Sequence, residues 1–224
     1  MPGPSSEKTA PDFLSLPIET RNNIYERLLA VPHPLYIFQD PGCPVEAFAP
    51  EKPNRWLALL YTNRQISDEA RAILYGMNYF TLEDVQTRQR GGGLLKSFLH
   101  CIGPVNSGLL SQLCINFPAT EWIEGQSGKI RIREASLQSL QLLQKGCTGL
   151  KTLETLIYGQ NASGLIKEDQ NNAMFVREVL MEIDAQFRAI ASLNKIIVRV
   201  CNGSPAPSIT EFIEGLGWVV IGNI

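Results

Sequence analysis

The chain has 224 residues, of which 44% are hydrophobic and 19% charged, a composition typical of globular proteins rather than of disordered ones. That length suits one ordinary domain or two small lobes that share a core, and we expect the second arrangement. The 20 basic and 22 acidic residues give a formal charge of -2, which leaves no basic excess for nucleic-acid phosphates. No apolar run approaches the roughly eighteen residues of a membrane-spanning helix. Neither nucleic acid nor a membrane is therefore expected as a partner.

The five cysteines are scattered along the chain, in none of the close spacings that are typical of zinc ribbons and redox pairs. An odd, dispersed set is typical of reduced thiols, so we predict a cytoplasmic or nuclear location. Residues 1–11 lack the apolar core of a secretory signal and are expected to form a disordered tail.

The first predicted helix covers residues 17–30. Pro17 suits the first helical turn, where its missing N–H costs nothing, and Glu19 lies where the helix dipole favours an anion. Ile24 and Leu28 follow at helical spacing, so the helix is predicted to be amphipathic and to end before the prolines that come next. Its polar side is predicted to carry Arg21, Asn22, Glu26 and Arg27.

A proline-rich stretch, residues 31–53, follows and is predicted to be irregular apart from one short strand. Helical spacing of apolar residues then returns twice, and Asn63 is the expected cap of the second of these helices. In chain order, the predicted elements are a strand at 35–38, a helix from Trp56, a helix from Ile66 to Gly76 and a strand at 78–82.

Gly91, Gly92 and Gly93 form the clearest break in the middle of the chain, because three flexible residues suit neither helix nor sheet. We therefore predict a helical N-terminal lobe with short strands at 12–90 and a second lobe at 94–224. Beyond the break, short apolar runs alternate with helical patterns, which indicates strands and helices packed in layers. The predicted fold class is α/β (α+β).

Three segments of the second lobe resemble one another, and each is predicted to be a strand led by leucine. They begin at Leu110, Leu150 and Leu193, about forty residues apart, with helical patterns in the gaps. This self-similarity suits a leucine-rich-like stack. An open parallel sheet explains it nearly as well, because the period exceeds the roughly 20 to 29 residues of ordinary leucine-rich repeats. Residues 218–221 are expected to supply the last strand, and the end of the chain soon afterwards suggests a minimal version of a longer fold.

No constellation typical of catalysis or of a cofactor site appears in the sequence. The two histidines, His33 and His100, have no acidic or metal-ligand companion at a recognisable spacing. The acidic pairs at 68–69 and 168–169 stand in polar contexts, so solvated faces are favoured over acid–base work. We therefore predict no enzymatic activity, no cofactor and no metal. Only a pocket that gathers distant polar residues around His100 would favour an enzyme.

The opening of the chain resembles the first helix of the F-box. That pattern runs Leu-Pro-x-Glu, then isoleucine five residues after the glutamate and leucine four later, and it is filled here by Leu16, Pro17, Glu19, Ile24 and Leu28. A large fungal group of F-box-like proteins of unknown function pairs such an opening with a second block, to which three runs of this chain are similar: residues 59–66, 68–70 and 74–80.

The resemblance implies a protein-interaction module with a helical F-box-like lobe. Proteins with an F-box dock on a Skp-type adaptor and bring a substrate protein, held by the C-terminal domain, to a cullin-type ubiquitin ligase. The implied contacts with the adaptor are Leu16, Pro17, Ile24, Leu28 and Leu29. The alternative is an adaptor-independent scaffold or self-associating protein, in which these helices are sealed inside the core of the chain itself. Either way the expected partners are proteins, and the identity of any substrate protein stays open.

Overall fold

The structure is a computed structural model that describes residues 12–53, 55–82, 93–123, 130–158, 173–201 and 206–222. Three sequence predictions lie outside the described residues: the tail at 1–11, the glycines Gly91 and Gly92, and the acidic pair at 168–169.

Helices and strands alternate through the described part of the chain. The helices are α1 (Ile18–Leu29), α2 (Arg64–Met77), α3 (Gly93–Leu109), α4 (Glu134–Gly146), α5 (Ala173–Arg188) and α6 (Pro207–Gly215), with short 3-10 turns at Phe13–Ser15 and Trp56–Tyr61. The strands are β1 (Leu35–Phe38), β2 (Glu46–Phe48), β3 (Tyr79–Leu82), β4 (Gln112–Asn116), β5 (Thr120–Trp122), β6 (Ile130–Ile132), β7 (Thr152–Ile157), β8 (Lys195–Val200) and β9 (Val219–Gly222). The predicted helix at 17–30 and the strand at 35–38 are confirmed within a residue of their bounds.

The described strands form one seven-stranded sheet in the order β2-β1-β3-β4-β7-β8-β9, and β5 and β6 form a separate pair. Within the large sheet, β2 pairs antiparallel with β1 and every other pairing is parallel. The predicted α/β class is confirmed. The three leucine-led segments are β4, β7 and β8, which lie side by side as an open parallel sheet.

The helices that connect the parallel strands lie in one layer. From β3 onwards, each strand of the large sheet is followed by a helix, and the next strand of that sheet lies directly beside it. The one interruption is the β5–β6 pair, which is inserted between β4 and α4. Right-handed crossovers in the same direction place every connecting helix on the same face. Accordingly, α2 packs on α3, α3 on α4, α4 on α5 and α5 on α6. No described helix long and apolar enough to cross a membrane occurs among them.

The core lies between the helical layer and the sheet. One register row of the sheet runs Leu35, Phe80, Leu113, Leu153 and Ile196, and all five side chains are buried. The ring of Phe80 contacts Tyr75 of α2 and Phe98 of α3, which identifies this row as the side that faces the helices. Burial of such aliphatic and aromatic side chains contributes about 1.5–3 kcal/mol each.

The two predicted lobes share this sheet and core. The strands β3 and β4 stand on either side of residue 90 in the sequence, and they are hydrogen-bonded neighbours. Buried residues from both segments belong to a single hydrophobic cluster. The lobe boundary near residue 91 therefore stays a prediction. The segments before and after it pack into one hydrophobic core.

A close backbone approach joins the end of α3 to the turn before β7. A Cβ atom added to Gly149 would stand 2.5 Å from the carbonyl oxygen of Gly108. Non-bonded carbon and oxygen atoms do not approach so closely, so any side chain at Gly149 pushes the two segments apart. Leu110 and Leu150, which follow the two glycines, are both fully buried, so such a shift reaches the core.

We expect Gly149→Ala to lower the free energy of unfolding by about 1–3 kcal/mol, the usual cost of overpacking. Gly146→Ala is the matched control, because a Cβ there would meet no atom within 4 Å and alanine favours the helix. Urea unfolding of both variants measures the difference. Equal stability of the two variants would contradict the close approach.

Candidate functional site

The helix α1, on which the resemblance places the adaptor contacts, is held by a buried face. Arg21, Tyr25 and Leu29 follow at four-residue intervals, and all three are buried against the rest of the chain. The prediction that Arg21 lies on the polar, solvated side is therefore wrong. Its burial is possible because a carboxylate from another helix balances its charge, and the spacing within α1 does not reveal that partner.

That carboxylate belongs to Glu69 of α2. Nε and Nη2 of Arg21 donate to the two oxygens of Glu69 at 2.8 and 2.6 Å, a bidentate ion pair. The hydroxyl of Tyr25 donates to Oε2 of Glu69 at 2.9 Å, and Nε2 of Gln65 donates to Oε1 at 3.0 Å. Nη1 of Arg21 also donates to the carbonyl of Leu16 at 2.5 Å. The pair thus ties α1 to α2 and to the segment before α1.

The pKa values of this cluster follow from its hydrogen bonds. Hydrogen bonds from Arg21 first, then from Gln65 and Tyr25, lower the pKa of Glu69 to about 2, although burial acts in the opposite direction. Burial, reinforced by the negative charge of Glu69, raises the pKa of Tyr25 to about 12. The expectation that both members of the 68–69 pair are solvated is wrong for Glu69, and Asp68 is exposed.

Asn78 secures the C-terminal ends of α1 and α2. Its Nδ2 donates to the carbonyls of Leu29 and Leu74, both at 2.9 Å, and its Oδ1 accepts from the N–H of Val31 at 2.8 Å. The last carbonyl groups of a helix have no hydrogen-bond donor within the helix. Because the buried amide of Asn78 donates to one such carbonyl of each helix, it links the ends of α1 and α2. Nζ of Lys52 adds a hydrogen bond to the carbonyl of Leu28 at 2.7 Å.

These contacts leave one side of α1 accessible. We call Pro17, Thr20, Ile24 and Leu28 the α1 stripe, because spacings of three and four residues place them on one side of the helix. Pro17, Thr20 and Leu28 are exposed, with Leu28 at 47%, while Ile24 is half-buried.

Two further predicted adaptor contacts lie outside the stripe. Leu16 precedes the helix and is half-buried. Leu29 is 0% exposed and belongs to the core, so its assignment as an accessible contact is wrong. The reason is angular: Leu29 lies four residues after Tyr25 and shares its inward direction, although it adjoins Leu28 in the sequence.

The sequence contains one overlooked signal for the buried ion pair. Arg21 stands four residues before Tyr25, so a charged residue shares a helical face with an aromatic one, and charged residues on buried faces are usually paired. The sequence does not identify Glu69 as the partner, since 48 residues separate the two. The predicted cap at Asn63 is confirmed, because its side chain accepts from the N–H of Ile66 at 2.9 Å.

The histidines take no part in a comparable cluster. His33 and His100 are both exposed, and His100 lies on α3. Among the described residues, no group of three histidine, cysteine, aspartate or glutamate side chains could hold a metal ion.

Asn78→Ala is expected to lower the free energy of unfolding, because it leaves one buried N–H and two helix-end carbonyls without the amide. Each polar group left buried and unsatisfied costs about 1–3 kcal/mol, with partial relief where water can enter. Asn23→Ala, on the exposed side of α1, is the control and should change stability little. Thermal unfolding followed by circular dichroism compares them, and similar melting temperatures would argue against the role of Asn78.

The ion pair also predicts a pH dependence. Because the folded pKa of Glu69 lies below its ordinary value of 4.5, its contribution to stability is present above pH 4.5 and is lost as the pH falls towards 2. In Glu69→Gln, this part of the acid destabilisation should disappear, although the variant is less stable at neutral pH. Unfolding free energies measured between pH 7 and about pH 2 test this. Asp68→Asn is the control, and it should keep the wild-type acid profile.

Comparisons with known proteins leave the family open. A scan against protein-family models, a search of curated proteins and a search of solved structures each found no match to the chain. The F-box-like assignment therefore rests on the residues quoted for it, and the geometry of α1 is the basis for the proposal that follows.

Proposed function

We propose that this chain is a non-enzymatic protein-interaction module whose α1 stripe docks on a Skp-type adaptor, with a substrate protein bound elsewhere on the same chain. The observation that carries the proposal is the two-sided character of α1. One side is fixed by the bidentate pair of Arg21 with Glu69, and the other presents Leu28 at 47% exposure beside the half-buried Ile24.

A fixed helix is better suited to docking than a mobile one. Association has to offset the ordering of interface side chains, and a helix already held in place has less freedom left to lose. The ion pair, the hydroxyl of Tyr25 and the amide of Asn78 hold α1 from its first turn to its end. Apolar side chains along one side of such a helix can enter a hydrophobic groove of a partner.

The second candidate is a scaffold or self-associating protein with the F-box-like helices sealed in its own core. Its support is the complete burial of Tyr25 and Leu29, which belong to the hydrophobic cluster of this chain. Complete sealing would also bury Leu28, which is exposed. This difference favours docking through the stripe.

Thr20 offers a test in which affinity should increase. It is an exposed polar residue between Pro17 and Ile24 on the stripe, so Thr20→Leu extends the apolar surface without changing the buried face. Burial of the added apolar surface against an adaptor is favourable by roughly 25 cal/mol per Å². Greater affinity in this variant would be difficult to explain by altered folding.

The experiment is binding of the purified chain to a purified Skp-type adaptor, measured by calorimetry. We expect Ile24→Asp with Leu28→Asp to weaken binding about a hundredfold or more, because charges replace two apolar contacts, and Thr20→Leu to strengthen it. Tyr61→Asp is the control, since Tyr61 is highly exposed and lies outside the stripe. No binding by the wild type, or equal binding by the double variant, would overturn adaptor docking, and dimerisation that the stripe variants abolish would favour the second candidate.

A further inference from the structure

The seven-stranded sheet ends at β2, a short strand with one described partner. β2 pairs antiparallel with β1, and it is the outermost strand in the order of the described strands. In an antiparallel pair, backbone N–H and C=O groups point alternately towards the partner strand and away from it. Glu46, Ala47 and Phe48 are all exposed, which leaves the outward side of the strand accessible. We call this outward side of Glu46–Phe48 the β2 edge.

Aromatic side chains adjoin the β2 edge. Tyr36 of β1 stands opposite Phe48 of β2, and Phe38 stands opposite Glu46. Side chains alternate along a strand, so these four residues share one face of the sheet. The three aromatic side chains are exposed, Phe48 at 57%. A contiguous group of exposed aromatic side chains is uncommon on a protein surface that has no partner.

The charge beside these aromatic residues is negative. Glu46 lies on β2 itself, and Asp40 stands in the turn that joins β1 to β2, and both are exposed. Residues 34–51 contain these two acids and Glu51, and they contain no lysine, arginine or histidine. Opposite charges on neighbouring strands attract, so a basic side chain is the favourable neighbour of Glu46 on an added strand.

Both ends of β2 are fixed by local contacts. Before the strand, the N–H of Cys43 donates to the carbonyl of Asp40 at 2.9 Å, which closes a turn around Gly42. The φ of Gly42 is +80°, a conformation that glycine adopts without strain. After the strand, Nζ of Lys52 donates to the carbonyl of Leu28 at 2.7 Å. An edge that is already held in this way has little freedom to lose when a partner binds.

We propose that the β2 edge binds an extended segment of a partner protein, which adds a strand to the sheet and carries an apolar residue two positions from a lysine or arginine. Main-chain hydrogen bonds give such an added strand its affinity, and alternate side chains give it specificity. Opposite Phe48, the apolar side chain continues the row that begins at Tyr36, and opposite Glu46 the basic side chain meets a carboxylate. The segment would belong to the second partner, so the inference rests on the proposed interaction function, but it does not require adaptor docking.

A second copy of the chain is a poorer occupant of the β2 edge. A symmetric antiparallel pair of β2 strands that uses all three residues is centred on Ala47, so it places Glu46 opposite Phe48 of the copy. Each carboxylate then adjoins an aromatic ring, and no cation from β2 balances it. A partner segment with a basic residue avoids this mismatch.

The test is a selection of random peptides of about eight residues, a usual strand length, displayed on phage against the full chain. We expect enriched peptides to carry an apolar residue two positions from a lysine or arginine. The affinity of a synthetic copy, measured by fluorescence anisotropy, should fall about tenfold or more for Phe48→Ser and for Glu46→Lys. Val105→Ser and Glu182→Lys are the matched controls, because both residues are exposed and lie on the helices α3 and α5.

Two further measurements distinguish strand addition from other binding. N-methylation of alternate peptide amides removes the donors of one side of the strand, so one of the two alternating sets should abolish binding and the other should be tolerated. Glu46→Lys should regain most of its lost affinity when glutamate replaces the basic residue of the peptide.

Four results would each overturn the proposal: no enrichment, binding that ignores Phe48 and Glu46, equal effects of the two methylated peptides, or a charge exchange without recovery. Dimerisation that Phe48→Ser abolishes would assign the edge to a second copy instead. The selection uses this chain alone, so its failure leaves adaptor docking untouched.

Discussion

The bidentate ion pair between Arg21 and Glu69 is the interaction on which the N-terminal part of the structure depends. It places a charge from α1 and a charge from α2 in a partly buried interface, where each charge offsets the desolvation cost of the other. Tyr25 completes the cluster, so the buried face of α1 is polar at its start and apolar at Leu29. The direction of the remaining α1 side chains, including Leu28, follows from this attachment.

The sheet imposes a second constraint. Parallel strands that follow one another side by side place their connecting helices in one layer, so the helices cover one half of every strand. Residues of the other half are also buried on the central strands: Thr81, Cys114, Glu154 and Ile197. At the edge formed by β1 and β2 this half carries the exposed side chains of Tyr36, Phe38 and Phe48, and on β8 it carries Arg199 paired with Glu154.

Particular elements show why some predictions succeeded. Local spacing of residues is enough to indicate features that depend only on near neighbours in the sequence. These features include helix α1, strand β1 and the cap at Asn63. The leucine-led segments were also recognisable, because buried parallel strands are apolar over their whole length. Errors arose where a side chain meets a partner far away in sequence. Arg21 and Glu69 look solvated in isolation, and Leu29 is continuous with Leu28 in the sequence although the two point in different directions.

The sequence by itself determined the α/β class, most of the helices and strands, and the candidate residues of the α1 stripe, because periodicity and capping act over short distances. Tertiary structure decided which of these residues are accessible. It paired Arg21 with Glu69, used Asn78 to join two helix ends, and placed Arg199 beside Glu154 of the neighbouring strand. Strand order and helix packing connect residues tens of positions apart, and no local pattern of amino acids specifies those connections.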